Sequence, residues 1–418
     1  MSGSLRLDPA AAGAALVERC DALAALTEEP GRLTRTYLTP RHAEANTLVG
    51  QWMAAAGMAV RVDALGNVVG RYEGAAPDAP AVVIGSHLDT VRDAGRYDGM
   101  LGVVSGIAVV EALHAAGRRL PFAVEVVGFG DEEGVRFGAT LIGSRALAGT
   151  FDPALLAARD RDGTTLREAL TAFGGDPAGW HSCTYGAARI RAYLELHIEQ
   201  GPLLERLGLP VGVVTAIAGA TRRAVTFGGM AGHAGTVPMD GRRDALAGAA
   251  EAVLAVEAVG RAHGVVATVG RMEALPGAVN VIPGAARFTV DLRAADDAAR
   301  AAALADLDGR LAAVADRRGL TLAQEPLHEN AATPCDPALM AVLDRAVARA
   351  GLPVHRLMSG AGHDAMAMAA VAPVAMLFVR CAGGISHNPA ESITAADAGI
   401  GAAVLLDTLL LLAEDTPA

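Results

Sequence analysis

Short apolar runs alternate with longer stretches of helical periodicity through the first half of the chain. Residues 81–84 form an unbroken apolar run that ends in Gly-Ser-His. Residues 102–116 place apolar side chains at helical spacing, and residues 122–128 form a second apolar run. Unbroken apolar runs between turn residues suit strands buried on both faces, and strand–helix–strand order predicts a parallel or mixed sheet flanked by helices. Residues 192–198 read as an alternating strand. In sheets of this kind functional groups gather where strands end in loops.

The rhythm changes near residue 216. Residues 222–227 alternate as a strand, 243–262 are helical, 265–272 and 286–292 are strands, 295–317 are helical and 320–324 form a short strand. The order β-α-β-β-α-β is the split-βαβ, ferredoxin-like pattern. From about residue 334 the chain returns to helix, then a strand at 374–379, a loop and a closing helix. The expected fold class is α/β: a catalytic domain with a mixed sheet, built from residues 1–215 and 330–418. An α+β lid or dimerisation domain, residues 216–329, is inserted between them.

Composition narrows the function. Of 418 residues, 52% are apolar and 19% charged, enough for large cores. A net charge of -11 argues against nucleic-acid or anionic-membrane partners, both of which want a basic face. The apolar stretch at 401–413 reads as too short to span a bilayer, and the first residues lack the pattern of a secretory signal. Cys20, Cys183, Cys335 and Cys381 form no CxxC pair, so neither a disulfide framework nor a thiolate zinc site is expected. A cytoplasmic location is expected.

Five segments carry candidate chemistry. His87 and Asp89 follow the first apolar run, Asp98 lies in a Gly-rich turn, and Glu132 and Glu133 follow the second run. His197 ends the strand at 192–198, and His387 lies in the loop after 374–379. Each has a bland reading alone: a core histidine, a helix cap, a solvated acidic turn. Together, three imidazoles and two carboxylates at strand ends supply N/O ligands for two divalent ions, with Zn²⁺, Mn²⁺ or Co²⁺ all acceptable. One further carboxylate is left as a base. No GxGxxG or GxxxxGK[ST] string occurs, which removes nucleotide-binding alternatives.

The strings GSHLDTV, GRYDGMLGV, DEEGVRF, ELHIEQGPLLE, GHAGTVPM, NVIPG, SGAGHDA and GISHNPAE run in order from about residue 80 to residue 391. In this the chain resembles the M20-type metallo-amidohydrolases of the hydantoinase/carbamoylase group. That group includes allantoate amidohydrolase, N-carbamoyl-L-amino-acid hydrolase and β-ureidopropionase. The resemblance implies one ion on His87 and His197, another on Glu133 and His387, and Asp98 bridging them. It implies Glu132 as general base and Asp89 as the group orienting His87. His233 would stabilise the oxyanion from a partner subunit, so a homodimer is implied. Asn280 and Arg293 would hold the carboxylate of a small ureido acid and, like His233, could act across subunits, and Gln200, Gly360 and His363 would add substrate contacts. Glu199 is assigned no role beyond packing, and Asp364 is read as a helix N-cap or an orienter of His363. The expected reaction is hydrolysis of a ureido C–N bond, allantoate being favoured over an N-carbamoyl amino acid. A peptidase of the same architecture and a metal-free binding protein are the alternatives.

Overall fold

Every residue of the strands β3 (Ala81–His87), β4 (Ala123–Phe129) and β11 (Val374–Val379) is buried, and β5 (Ile190–Ile198) exposes only Arg191. β5 is therefore not the half-exposed strand its alternation suggests. It is a central strand covered on both faces, and its alternate polar side chains, Glu195 and His197, are buried as well. The structure is a computed structural model and describes residues 5–415. It divides into two compact units, Met1–Thr215 with Cys335–Leu357 and Gly362–Ala418, and Ala216–Pro334 with Met358–Ala361.

In the larger unit the sheet adds β1 (Ala59–Val62), β2 (Val68–Tyr72) and β6 (Val211–Ile217), in the order β1-β2-β4-β3-β5-β11-β6. The central strands β4, β3, β5 and β11 are parallel; β1, β2 and β6 pair antiparallel at the flanks. Register aligns the carboxyl ends: His87 lies opposite Phe129, and His197 opposite Phe378. The side chains that leave these ends therefore share one rim of the sheet.

Helices α1 (Pro9–Ala24), α2 (Pro40–Ala55), α3 (Met100–Ala115), α6 (Pro337–Arg349) and α7 (Ala395–Glu414) cover the faces. Asp8, Thr39, Asp336 and Thr394 cap α1, α2, α6 and α7, each accepting a backbone N–H, and proline starts the first three. α7 extends well beyond the apolar stretch at 401–413. By length and composition alone it could cross a membrane, but 72% of its apolar window is buried inside this unit. It packs on α1, α3, α6 and β11, which accounts for its apolar character all round.

The smaller unit holds the antiparallel strands β7 (Gly219–Gly228), β8 (Val266–Leu275), β9 (Ala285–Ala294) and β10 (Thr321–Asn330), in the order β10-β7-β9-β8. Helices α4 (Ala245–His263) and α5 (Asp297–Arg318) pack on one face, over a core that includes Phe227, Phe288 and Leu311. A short ladder sits beside the sheet, pairing Val281 with His233.

Candidate metal centre

Three imidazole Nε2 atoms converge on the carboxylate of Asp98. His197 lies 3.1 Å and His87 3.4 Å from Asp98 Oδ1, and His387 lies 3.4 Å from Asp98 Oδ2. His387 Nε2 is also 3.4 Å from Glu133 Oε1. The ligand atoms of His87, Asp98 and His197 form one compact group, those of Asp98, Glu133 and His387 another, and His87 forms a third with Glu132 and Glu133. The five residues expected as ligands thus meet at the rim, with Glu132 beside them.

The donor set fits cations on a specific ground. His87 Nδ1 lies 3.0 Å from the carbonyl of Asp89, and His197 Nδ1 lies 2.9 Å from the carbonyl of Ile198. A carbonyl only accepts, so each Nδ1 carries the hydrogen and each neutral ring presents a lone pair at Nε2. Those lone pairs face a carboxylate oxygen, acceptor against acceptor, and His197 Nε2 is buried without a hydrogen-bond partner. A proton or a metal ion must lie between them. With a proton in place of a metal ion, burial pulls the His87 and His197 rings down, but the Asp98 carboxylate, which then accepts from Nε2, and the nearby carboxylates hold both above the usual imidazole range. Hydrogen bonds to Asp98 and Glu133 lift exposed His387 to about 10.

Two backbone features set this geometry. Gly99, at the start of α3, has φ +79°, and a Cβ there would lie 2.5 Å from the His87 ring. Gln200 and His387 hold left-handed backbone with φ +56° and +54°, conformations that side-chain-bearing residues adopt only under constraint.

Asp89 departs from its expected role. The contact that orients His87 comes from its carbonyl; its carboxylate is 3.9 Å from His87 Nδ1. The carboxylate instead accepts the backbone N–H groups of Glu132 and Glu133, at 3.1 and 3.2 Å, and so fixes the acidic turn. Burial pushes Asp89 up to about 6, opposed by His87. Glu132 is raised well above the usual carboxylate range by burial and by Glu133, Asp364 and Asp89, again against His87.

Gln200 donates from Nε2 to Asp98 Oδ2 at 2.8 Å, and its Oε1 has no hydrogen-bond partner. His363 is buried with its ring centroid 4.5 Å from that of His197. Asp364 does not cap the short helix Ala365–Met368 with its side chain; Glu195 Oε2 takes the Ala365 N–H instead. Glu199 accepts the N–H groups of Leu203 and Leu204 and so caps the helix Leu203–Leu207.

The remaining candidates lie in the smaller unit. His233 and Asn280 are both exposed and adjacent, since the Asn280 carbonyl accepts the Ala234 N–H at 2.9 Å. Arg293 lies towards the far end of β9. It forks onto Asp291 through Nε and Nη2, both at 2.9 Å, and gives Nη1 to the Gly360 carbonyl at 2.6 Å. Arg222, Asp291, Arg293 and Gly360 line a cavity of about 520 Å³ in this unit.

Residues 83–411 match the model of peptidase family M20/M25/M40. The chain belongs to this family. The M20 chain is 42% identical over 427 residues to the allantoate deiminase of Arabidopsis thaliana, covering 94% of this chain and 81% of the relative. It is 41% identical over 404 residues to the N-carbamoyl-L-amino acid amidohydrolase of Geobacillus stearothermophilus, covering 96% and 99%. A crystal structure of a hydantoinase/carbamoylase-family amidase from Burkholderia multivorans superposes with a TM-score of 0.91 at 38% identity, covering 99% of this chain and 100% of that one. This M20 chain is a hydrolase of C–N bonds other than peptide bonds.

Two M20 site residues escaped the sequence reading. Ser386 donates to Asp98 Oδ2 at 2.6 Å, and Glu391 accepts the N–H groups of Tyr97 and Asp98. Both stand in the quoted string GISHNPAE, four residues or fewer from His387. A carboxylate four residues after a candidate ligand histidine was the available signal, but nothing local showed that it reaches back almost 300 residues.

Proposed function

We propose that the chain hydrolyses the ureido C–N bond of a small carboxylate, releasing ammonia and carbon dioxide, with allantoate the favoured substrate. An N-carbamoyl-L-amino acid or N-carbamoyl-β-alanine is the alternative. The observation that carries this reading is the meeting of three imidazole Nε2 atoms and the carboxylates of Asp98 and Glu133 at one rim, beside Glu132.

In this reading His87 and His197 would hold one divalent ion, Glu133 and His387 would hold the other, and Asp98 would be shared between them. Zn²⁺, Mn²⁺ and Co²⁺ all suit the N/O donors. Such ions, when bound, polarise a carbonyl and acidify water. Glu132 takes the proton of the attacking water and returns it to the departing nitrogen, a task its raised proton affinity suits. Asp89 keeps Glu132 in place by gripping its backbone. Gln200 steadies Asp98 through its amide N–H and has Oε1 left for a substrate N–H.

Arg293 has three of its five N–H groups engaged, so two remain for a substrate carboxylate. Asn280 shares that task, Gly360 and His363 add contacts, and His233 stabilises the oxyanion. Residue 285 starts β9 just beyond the His233–Val281 ladder, and Arg293 lies eight residues on, about 26 Å at strand spacing. A small acid does not reach both from one chain. This supports a homodimer in which His233 and Asn280 serve the partner's site, the smaller unit acting as lid and dimerisation domain. Four free, buried cysteines fit a cytoplasmic location.

The test is ammonia release from allantoate, N-carbamoyl-L-amino acids and N-carbamoyl-β-alanine by metal-loaded protein. Turnover of allantoate above the others is expected, and turnover of none overturns the proposal.

A further inference from the structure

Glu391 takes no part in the steps above, yet the residue is only 4% exposed and both of its carboxylate oxygens have polar partners. Oε1 accepts the N–H of Tyr97 at 2.8 Å and of Asp98 at 3.2 Å, and Oε2 lies 3.1 Å from the Ser386 hydroxyl oxygen. Its seat exists because residue 95 is glycine: a Cβ there would lie 2.2 Å from the Glu391 carboxyl carbon. Ser386 also reaches Asp98 Oδ2 at 2.6 Å and is followed directly by His387. One buried carboxylate thus ties the Asp98 turn to the loop that carries His387.

The two halves of the centre are built unequally. His87 and His197 are buried on strands β3 and β5, and each ring is anchored at Nδ1 by a backbone carbonyl. His387 stands on a loop with left-handed backbone, its side chain 50% exposed. Its position depends on whatever fixes that loop.

Resting on the two-ion reading above, we infer that Glu391 is the positioning residue of the outer half of the centre. It holds the Ser386–His387 loop in register with Asp98, so that Glu133, Asp98 and His387 form an ion position that is lost without it. The His87–His197 position survives that loss, because its rings are anchored independently.

The test compares full-length wild type with Glu391→Ala, Glu391→Gln and Ser386→Ala, each titrated with Zn²⁺ and then dialysed against metal-free buffer, with zinc counted per chain. Wild type keeps two ions. Glu391→Ala keeps one, its weaker zinc Kd rising about 10–100-fold while the tighter Kd stays unchanged. Glu391→Gln stays close to wild type, because an amide accepts both backbone N–H groups through its oxygen and donates to Ser386 through its nitrogen. Ser386→Ala weakens only the second ion. Two ions bound to Glu391→Ala with wild-type affinities, or an equal loss at both positions, overturn the inference. If Glu391→Ala does not fold, Ser386→Ala decides, and an unchanged second Kd overturns it equally. A wild type that binds fewer than two ions overturns the metal-centre reading itself, and the inference with it.

Discussion

Glu132 and Glu133 are chain neighbours with opposite assignments, and their backbone N–H groups on Asp89 are what separate them. Glu133 turns towards His387, while Glu132 stands near His87 and close to residue 362. Replacing Glu132 by Gln preserves shape and removes the proposed base. Turnover should fall about 10²–10⁴-fold with both ions retained, read by ammonia release alongside metal analysis. A different residue, His42, sets an acid limit on stability. Its ring is buried against Tyr37 and Phe173, its Nδ1 accepts the Leu38 N–H at 3.1 Å, and burial lowers it to about 3. Above pH ~6.5 the ring is neutral in both folded and unfolded chains, so this contribution is fully present. As pH falls below that value the unfolded chain takes up a proton that the folded chain refuses, and stability drops until about pH 3. Between pH 7 and 5 this costs roughly 2 kcal/mol. In His42→Phe the loss over the same interval should be smaller by about that amount, measured from urea midpoints.

At the scale of elements, the parallel core β4-β3-β5-β11 brings four strand ends to one rim, and α3 begins beneath it. Gly99 is where these elements meet most tightly. A methyl group there faces the His87 ring at 2.5 Å on a backbone with φ +79°, so Gly99→Ala meets both a steric clash and a backbone penalty. The expected result is a stability loss of about 1–3 kcal/mol and weakened metal binding, read by thermal melts with and without added zinc. Melts that match wild type would mean that α3 shifts freely to accommodate the methyl. Most elements from residue 81 onward were legible in the sequence, because buried runs and 3.6-residue periodicity report on local packing. The helices α1 and α2 and strands β1 and β2 were not read, and β10 runs to Asn330, well past residue 324. β10 is largely exposed and carries little apolar pattern to read.

For the whole molecule, the proposed homodimer, in which His233 serves the partner's site, predicts that two differently disabled chains complement each other. Mixing Glu132→Gln protein with His233→Ala protein, each inactive alone, should restore activity once subunits exchange. A chain carrying both changes should contribute nothing to such a mixture. An active monomer in sedimentation would remove the cross-subunit assignment.

What this sequence determined by itself was the inventory: which strands are buried, where they end, and which side chains capable of holding a cation follow those ends. Such information is local, carried by apolar runs, turn residues and the strings around His87, Asp98, Glu132, His197 and His387. Tertiary structure alone decided the contacts between distant segments. It turned the Asp89 carboxylate onto the acidic turn, gave the Ala365 N–H to Glu195 in place of Asp364, and seated Glu391 against residues 95–98. The reason is physical: a buried polar group takes whichever partner the fold brings within about 3 Å, and sequence neighbours do not reveal which segment that will be.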